Sequence, residues 1–405
     1  MPSVVLLGTL DTKGDEYAFV RDRLAAAGLT VVVVDTGVLG APGIAADVPR
    51  EEVAAAAGAD VEGLREAGDR GAAVTTMADG AGAVVRRLYD EGRCDGALAL
   101  GGTGGTSIAA AAFRELPLGV PKVIVSTAAS GDTSPYLRET DLVLMPSVVD
   151  VAGVNRLSAR ILANAAASVA GMVLADPVFT TDEVPLLAAS MFGVTTPAVN
   201  AARQLLLSYG YEVLVFHMTG TGGRALEALA GSGQLSGVLD LTTTELADEL
   251  VGGVFSAGRD RLTAAGRAGI PQVVSVGALD MVNFGPLDTV PPQFADRNLF
   301  VHNPSVTLMR TTPEECAELG WRLATRLNAS TGPVTLLLPL RGVSAIAVEG
   351  GPFHDPAADA ALFDAIRDTV DPSVVELVEL DAAINDDAFA HAAADKLNTY
   401  LQKEN

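Results

Sequence analysis

The chain has little of what stapled folds, metal centres and aromatic cores are made from. Its 405 residues include two cysteines, four histidines, one tryptophan and 5% aromatics. Two thiols, Cys94 and Cys316, cannot build a disulfide framework or a thiolate cluster. The histidines are too scattered for a recognisable metal motif, so no protein-built metal centre is expected. Positive charge is scarce as well: 27 Lys and Arg against 50 Asp and Glu leave a net charge of −23. That balance argues against nucleic acid or an anionic membrane as a partner, and any anionic ligand would need a local site. No apolar run approaches the ~20 residues needed to cross a bilayer. The N-terminus runs straight into a strand pattern, without the basic stretch and cleavable apolar segment of an export signal. A cytoplasmic protein is expected.

Small and aliphatic residues are abundant. Hydrophobic residues make up 49% and there are 42 glycines, which suits an α/β protein long enough for two cores. Val4–Leu7, Thr30–Val34, Gly96–Leu100, Lys122–Ser126 and Leu142–Met145 read as strands. Helical spacing over Asp15–Ala27 and Gly71–Gly92 lies between them. The segment Gly40–Gly71 breaks the alternation, with one short helical piece near Arg50–Ala57, and reads as a lid or a subunit contact. Asn155–Leu174 is one long helix, stopped by Asp176-Pro177. A second alternation follows, with strands at Leu186–Met191, Glu212–Phe216, Gly237–Leu241, Gln272–Val276, Val334–Leu338 and Val374–Leu380. The expected fold is α/β: two Rossmann-like domains, residues 1–180 and 181–405, with mainly parallel sheets and a cleft between them. The boundary is placed near Asp176–Pro185.

Two glycine loops stand between a strand and a helix: Gly101, Gly102, Thr103, Gly104, Gly105 and Thr106, and then Thr219, Gly220, Thr221, Gly222, Gly223 and Arg224. Such units present backbone N–H groups and a positive helix end to an anion. Neither loop has the Lys-Ser/Thr of a Walker A motif or the spacing of a dinucleotide fingerprint, and a tight packing turn would use the same residues. Asp11, Thr12 and Lys13 follow the first strand, at a favoured ligand position. Lys13 suits a phosphate and Asp11 a Mg²⁺ ion or a hydroxyl, although a capped helix start reads the same way. Ser130, Gly131 and Asp132 lie at a third strand end. His217 precedes the second loop, and Glu245, Asp280 and His302 follow later strands. These four are the candidates for general acid–base work, set against the plainer reading of turn and cap residues.

Several strings resemble the ATP-binding-domain family named after the tomato mosaic virus resistance protein. They include Thr9-Leu-Asp-Thr-Lys-Gly, the Gly101 loop, Ser126-Thr-Ala-Ala-Ser-Gly-Asp, Met191-Phe-Gly-Val-Thr-Thr, His217-Met-Thr-Gly-Thr-Gly-Gly-Arg, Leu239-Asp-Leu-Thr-Thr-Thr-Glu-Leu and His302-Asn-Pro. The resemblance implies two Rossmann-like domains, ATP as ligand and self-association as a homodimer or larger assembly. The expectation is a nucleotide-binding protein, an enzyme on a small anionic metabolite bound between the domains. A nucleotide-independent lyase, isomerase or transferase and a non-catalytic regulatory module are the alternatives.

Overall fold

The β-branched and aliphatic runs form buried parallel strands because neither face of such a run has polar residues to offer to water. The computed structural model describes residues 1–175 and 184–403. The chain divides into two units, Met1–Thr180 and Thr181–Asn405. The expected helix stop at Asp176-Pro177, and most of the expected boundary, fall outside the described residues.

The first unit runs β1 (Ser3–Gly8), α1 (Leu10–Ala26), β2 (Thr30–Asp35), α2 (Arg50–Ala56), α3 (Val61–Ala67), α4 (Arg70–Asp90), β3 (Gly96–Gly101), α5 (Thr103–Phe113), β4 (Lys122–Ser126), α6 (Ser134–Leu137), β5 (Val143–Pro146) and α7 (Arg156–Leu174). All its strands are parallel, in the order β2-β1-β3-β4-β5. Alternation within β1 divides the core: Val5 and Leu7 pack with Met77, Val84 and Ile108 of α4 and α5. Val4 and Leu6 pack with Tyr17, Val20, Leu162 and Val169 of α1 and α7. α7 is, by length and composition alone, long and apolar enough to cross a membrane, and a third of its apolar window is buried. Its buried residues Leu162, Ala165, Ala166 and Val169 belong to this core.

The second unit runs β6 (Leu186–Met191), α8 (Thr196–Ser208), β7 (Glu212–His217), α9 (Thr221–Gly231), β8 (Gly237–Thr242), α10 (Glu245–Val251), α11 (Ala264–Ala268), β9 (Gln272–Gly277), β10 (Met281–Phe284), β11 (Leu299–Asn303), β12 (Val306–Arg310), α12 (Pro313–Asn328), β13 (Val334–Pro339), α13 (Pro356–Thr369), β14 (Val375–Leu380) and α14 (Asp387–Leu401). Its parallel sheet has the order β14-β13-β9-β8-β6-β7. Counted along the chain, that is the first unit's 2-1-3-4-5 order with a sixth strand added. The two units are therefore Rossmann-like repeats of one winding. The antiparallel sheet β10-β12-β11 was not expected from the sequence. Its short strands are inserted between β9 and the crossover helix α12, and β11 is mostly exposed, so it carries no strong alternation.

Two departures in the first unit bear on function. α1 begins at Leu10 rather than Asp15, because the Leu10 amide is held by Asp35 Oδ1 at 3.2 Å and Leu10 itself is buried. Lys13 sits at a kink inside it (φ −135°, ψ 32°). The excursion after β2 is also more ordered than expected. It carries a second helix, α3, capped by Asp60, and buried Arg50 anchors it to Asp35, with 2.7 Å from Nε to Oδ2.

β1 and β3 pair only as far as Leu7 and Ala99. Beyond that, the Tyr17 hydroxyl fills the gap, 2.8 Å from the Leu7 carbonyl and 2.7 Å from the Leu100 carbonyl, and it accepts from the Leu100 amide at 2.9 Å. Burial pushes its phenol well above the ordinary value. Gly8 is required here, since a Cβ would lie 1.7 Å from that oxygen. Tyr17→Phe is expected to strand these backbone groups and to cost about 1–3 kcal/mol in urea unfolding.

Candidate functional site

Where the winding reverses direction, the loops at two neighbouring strand ends part, and open parallel sheets bind ligands there. In the first unit the reversal lies between β1 and β3, and a cavity of about 470 Å³ opens at that place. Thr9, Asp11, Thr12 and Lys13 form one side, and Gly102, Thr103, Gly104 and Gly105 another. The excursion contributes Thr36 to Leu39, Leu64, Arg65 and Arg70, and α4 contributes Ala73, Val74 and Met77.

The glycine side is polar through its backbone. Gly102 caps α5 in an extended conformation with no side-chain cap bond. Among the described residues, none accepts a hydrogen bond from the amides of Thr103, Gly104 or Gly105; the first donor with a partner is Thr106, to the Gly102 carbonyl at 2.9 Å. A Cβ built on Gly104 would stand 3.7 Å from a terminal guanidinium nitrogen of Arg70. The positive end of α5 and a guanidinium therefore share one wall.

The facing wall holds unpaired oxygens. The Asp11 side chain is 2% exposed. Its Oδ2 accepts from the Leu39 and Gly40 amides at 2.8 and 3.2 Å, while Oδ1 has no partner. Thr36 Oγ1 is likewise buried and unpartnered. The Lys13 ammonium donates to the Val151 carbonyl, which fixes its charge at this rim. Asp35, at the end of β2, stands where dinucleotide folds carry their ribose-binding acid. Here both its oxygens are engaged, Oδ1 by the Leu10 and Gly37 amides and Oδ2 by Arg50.

Other expected contacts of this unit lie away from the cavity. Gly101 is a packing position, where a Cβ would stand 3.2 Å from Gly105 Cα. Thr106 is buried, with its hydroxyl 2.6 Å from that of Ser126. Ser130, Gly131 and Asp132 are exposed and do not line the cavity. The Asp132 carboxylate closes a turn on Ser134, whose hydrogen bonds hold its pKa below the ordinary value. Arg50, Arg65 and Arg70 were not singled out from the sequence. They lie in a segment without periodicity, and nothing local to it marks Asp35 or α5 as neighbours.

The second glycine loop differs. It follows edge strand β7, whereas the first follows the third strand of its unit. Two of its amides are already taken: Gly220 and Gly223 donate to Glu245 Oε1 at 2.7 and 3.1 Å. A Cβ on Gly223 would fall 1.8 Å from Glu245 Oε2. The expectation that Gly220, Thr221, Gly222, Gly223 and Arg224 hold a ligand's anion is corrected at Gly220 and Gly223, because the anion those two amides meet is the protein's own carboxylate. Glu245 Oε2 also accepts from Arg261 Nε at 2.7 Å, and Arg261 reaches Asp240 with both terminal nitrogens at 2.5 and 2.7 Å. Burial pushes the Glu245 carboxyl up against these contacts, and Arg261 is held well above its ordinary value by Asp240, Glu245 and Glu227 despite its own burial. Arg224 donates to the Ser256 carbonyl at 3.2 Å and to Thr221 at 3.4 Å.

The four acid–base candidates occupy separate surroundings, and no hydrogen bond joins any two of them among the described residues. His217 is exposed, its ring 5.5 Å from that of Phe192. His302 is exposed on β11. Asp280 is buried; Ser344 donates to its Oδ2 at 2.8 Å, and Oδ1 has no partner. The reversal between β6 and β8 is filled by hydroxyls: Thr195 and Thr242 lie 2.7 Å apart, and the Thr242 amide donates to Ser190 Oγ at 2.8 Å. Asn385 Oδ1 accepts from the Ala198 amide in the first turn of α8. Among the described residues, no group of three or more His, Cys, Asp and Glu is arranged to hold a metal ion.

Burial pushes Asp280 up to about 6 and Asp248, which accepts from the Asn283 amide and Nδ2, up to about 7. Both values lie above the unfolded value of ~3.9, so the folded chain binds these protons more tightly. Their stabilisation is complete at low pH and is lost as pH rises through about 6 to 7. Relative to Asp248→Asn, the wild type is expected to lose stability between about pH 4 and about pH 7, read by urea unfolding.

Comparison with known proteins places these features in a family. The chain is 50% identical over 400 residues to a UPF0261 protein of Clostridium tetani, covering 99% of each chain. It is 48% identical over 394 residues to a UPF0261 protein of Rhizobium meliloti, covering 97% of this chain and 98% of the relative. The tomato (Solanum lycopersicum) ToMV resistance protein Tm-1(GCR237) is 41% identical over 416 residues, covering 97% of this chain but 55% of the tomato protein. The chain thus spans about half the length of that relative. Residues 2–177 match the N-terminal domain and residues 184–401 the C-terminal domain of the uncharacterised protein family UPF0261, and the chain belongs to that family.

Proposed function

We propose that the first unit binds a nucleotide, ATP with Mg²⁺, in the cavity between β1 and β3. The observation that carries this reading is the uncapped start of α5: three adjacent amides without an acceptor among the described residues stand at a cavity that Arg70 also lines. A phosphate there would receive N–H donors, the helix end and a guanidinium together. Val38, Leu64, Val74, Met77 and Ile108 give the same cavity an apolar side suited to a base. Asp11 Oδ1 and Thr36 Oγ1 lack partners that a ribose hydroxyl or a hydrated Mg²⁺ would supply. ATP is the nucleotide that the resemblance of the sequence strings implies. The proposal is confined to binding, since His217, Glu245, Asp280 and His302 do not assemble into one acid–base group within the second unit.

A ligand that binds only the folded chain stabilises it, by about 2.7 kcal/mol at a hundredfold excess over Kd. The unfolding midpoint is therefore expected to climb steadily with Mg·ATP concentration. A midpoint that stays fixed up to millimolar Mg·ATP would refute the reading.

A further inference from the structure

The second unit has a separate recess of about 320 Å³, between the end of α10 and the outer face of α12. Glu249, Arg259, Trp321, Arg322, Thr325 and Arg326 line it. Two of its arginines are accounted for. Arg322 donates to Glu318 and to Glu249, each at 2.7 Å, and Arg259, with its side chain 93% exposed, reaches within 3.8 Å of Glu249. Arg326 is not accounted for. Its guanidinium makes no hydrogen bond to a described residue, and no carboxylate of a described residue lies within 4 Å, although its Nη1 is shut off from solvent. Burial holds its pKa below the ordinary value; Glu249 opposes this, while Arg322 and Arg261 reinforce it.

A half-buried guanidinium with unsatisfied N–H groups is costly unless something pairs with it. Glu249 is already paired with Arg322 and approached by Arg259, so Arg326 stands without an ion pair of its own within 4 Å, with only the longer-range fields of Glu249 and Glu227 favouring its charge. Beside it, Trp321 leaves half its surface open (51%), offering a flat apolar face. The volume lies at the small end of ligand pockets, enough for a single ring and one anionic group.

We propose that this recess binds a small aromatic anion, a carboxylate or phosphate on one aromatic ring. The anionic group pairs with Arg326 through a forked contact, with Arg259 free to swing onto it, and the ring stacks on Trp321. The site is independent of the nucleotide cavity.

Trp321 is the chain's single tryptophan, so intrinsic tryptophan fluorescence reports on this recess alone. Titrating the full chain with phenyl phosphate and with benzoate is expected to give a saturable change, and phenol, which has the ring without the charge, a much weaker one. Arg326→Gln removes no existing bond and is expected to fold, while weakening the response by at least about tenfold. Arg259→Ala, at an exposed position, is a second variant expected to weaken it less. No response to either anion, an equal response to phenol, or a response unchanged in Arg326→Gln would overturn the proposal.

Discussion

Replacing Arg261 with methionine is expected to lower the unfolding free energy by about 3–5 kcal/mol, the range for breaking a buried ion network by removing one partner. Arg261 is fully buried and stands among Asp240, Glu245 and Glu227, with contacts of 2.5, 2.7 and 3.2 Å. Its loss leaves three carboxylates without their cation. Glu227 keeps the Leu262, Thr263 and Ala264 amides, and Glu245 keeps the Gly220 and Gly223 amides. The Asp240 carboxylate has no other hydrogen-bond partner among the described residues, so it carries the largest share of the expected loss. A urea midpoint within experimental error of the wild type at neutral pH would show that the network contributes nothing.

Gly104→Asp is the second large effect, and it falls on binding rather than folding. A Cβ at Gly104 meets only ordinary contacts with Arg70 and Val74. An acid in the first turn of α5 favours the helix by ~0.3–1 kcal/mol. The same carboxylate occupies the anion position and pairs with Arg70. Stability should hold or rise slightly, while affinity for Mg·ATP measured by calorimetry falls by at least about tenfold, ~1.4 kcal/mol. Gly104→Ala, which adds bulk without charge, should retain most of the binding. Equal affinity in wild type and Gly104→Asp would move the ligand elsewhere.

The layered fold was legible because buried parallel strands such as Ser3–Gly8 and Thr30–Asp35 contain unbroken aliphatic runs, Val4–Leu7 and Val31–Val34. Strand order was not legible, and it decides the difference between the two glycine loops. Both read as strand, glycines, helix, yet one ends the third strand beside the reversal and the other ends an edge strand. Nothing in Thr219–Arg224 shows that Glu245, more than 20 positions later, turns its carboxylate back into the nest. The cations followed the same pattern. Lys13 was visible because it follows the first strand directly. Arg70 and Arg50 were hidden because the excursion that delivers them has no periodicity, and its anchor, Asp35, is reached only through tertiary contact. Asp11 was read as a ligand or a cap. In the structure it holds the Leu39–Gly40 turn with one oxygen, while the other is buried without a hydrogen-bond partner.

Amide hydrogen exchange, resolved to the two glycine loops, tests the central claim most directly. Addition of saturating Mg·ATP is expected to slow exchange at Thr103, Gly104 and Gly105, whose N–H groups have no acceptor among the described residues. Gly220 and Gly223, already bonded to Glu245, should keep their rates. Unchanged exchange at Thr103–Gly105 under conditions where ATP is bound, or new protection confined to the Gly220–Gly223 loop, would contradict it.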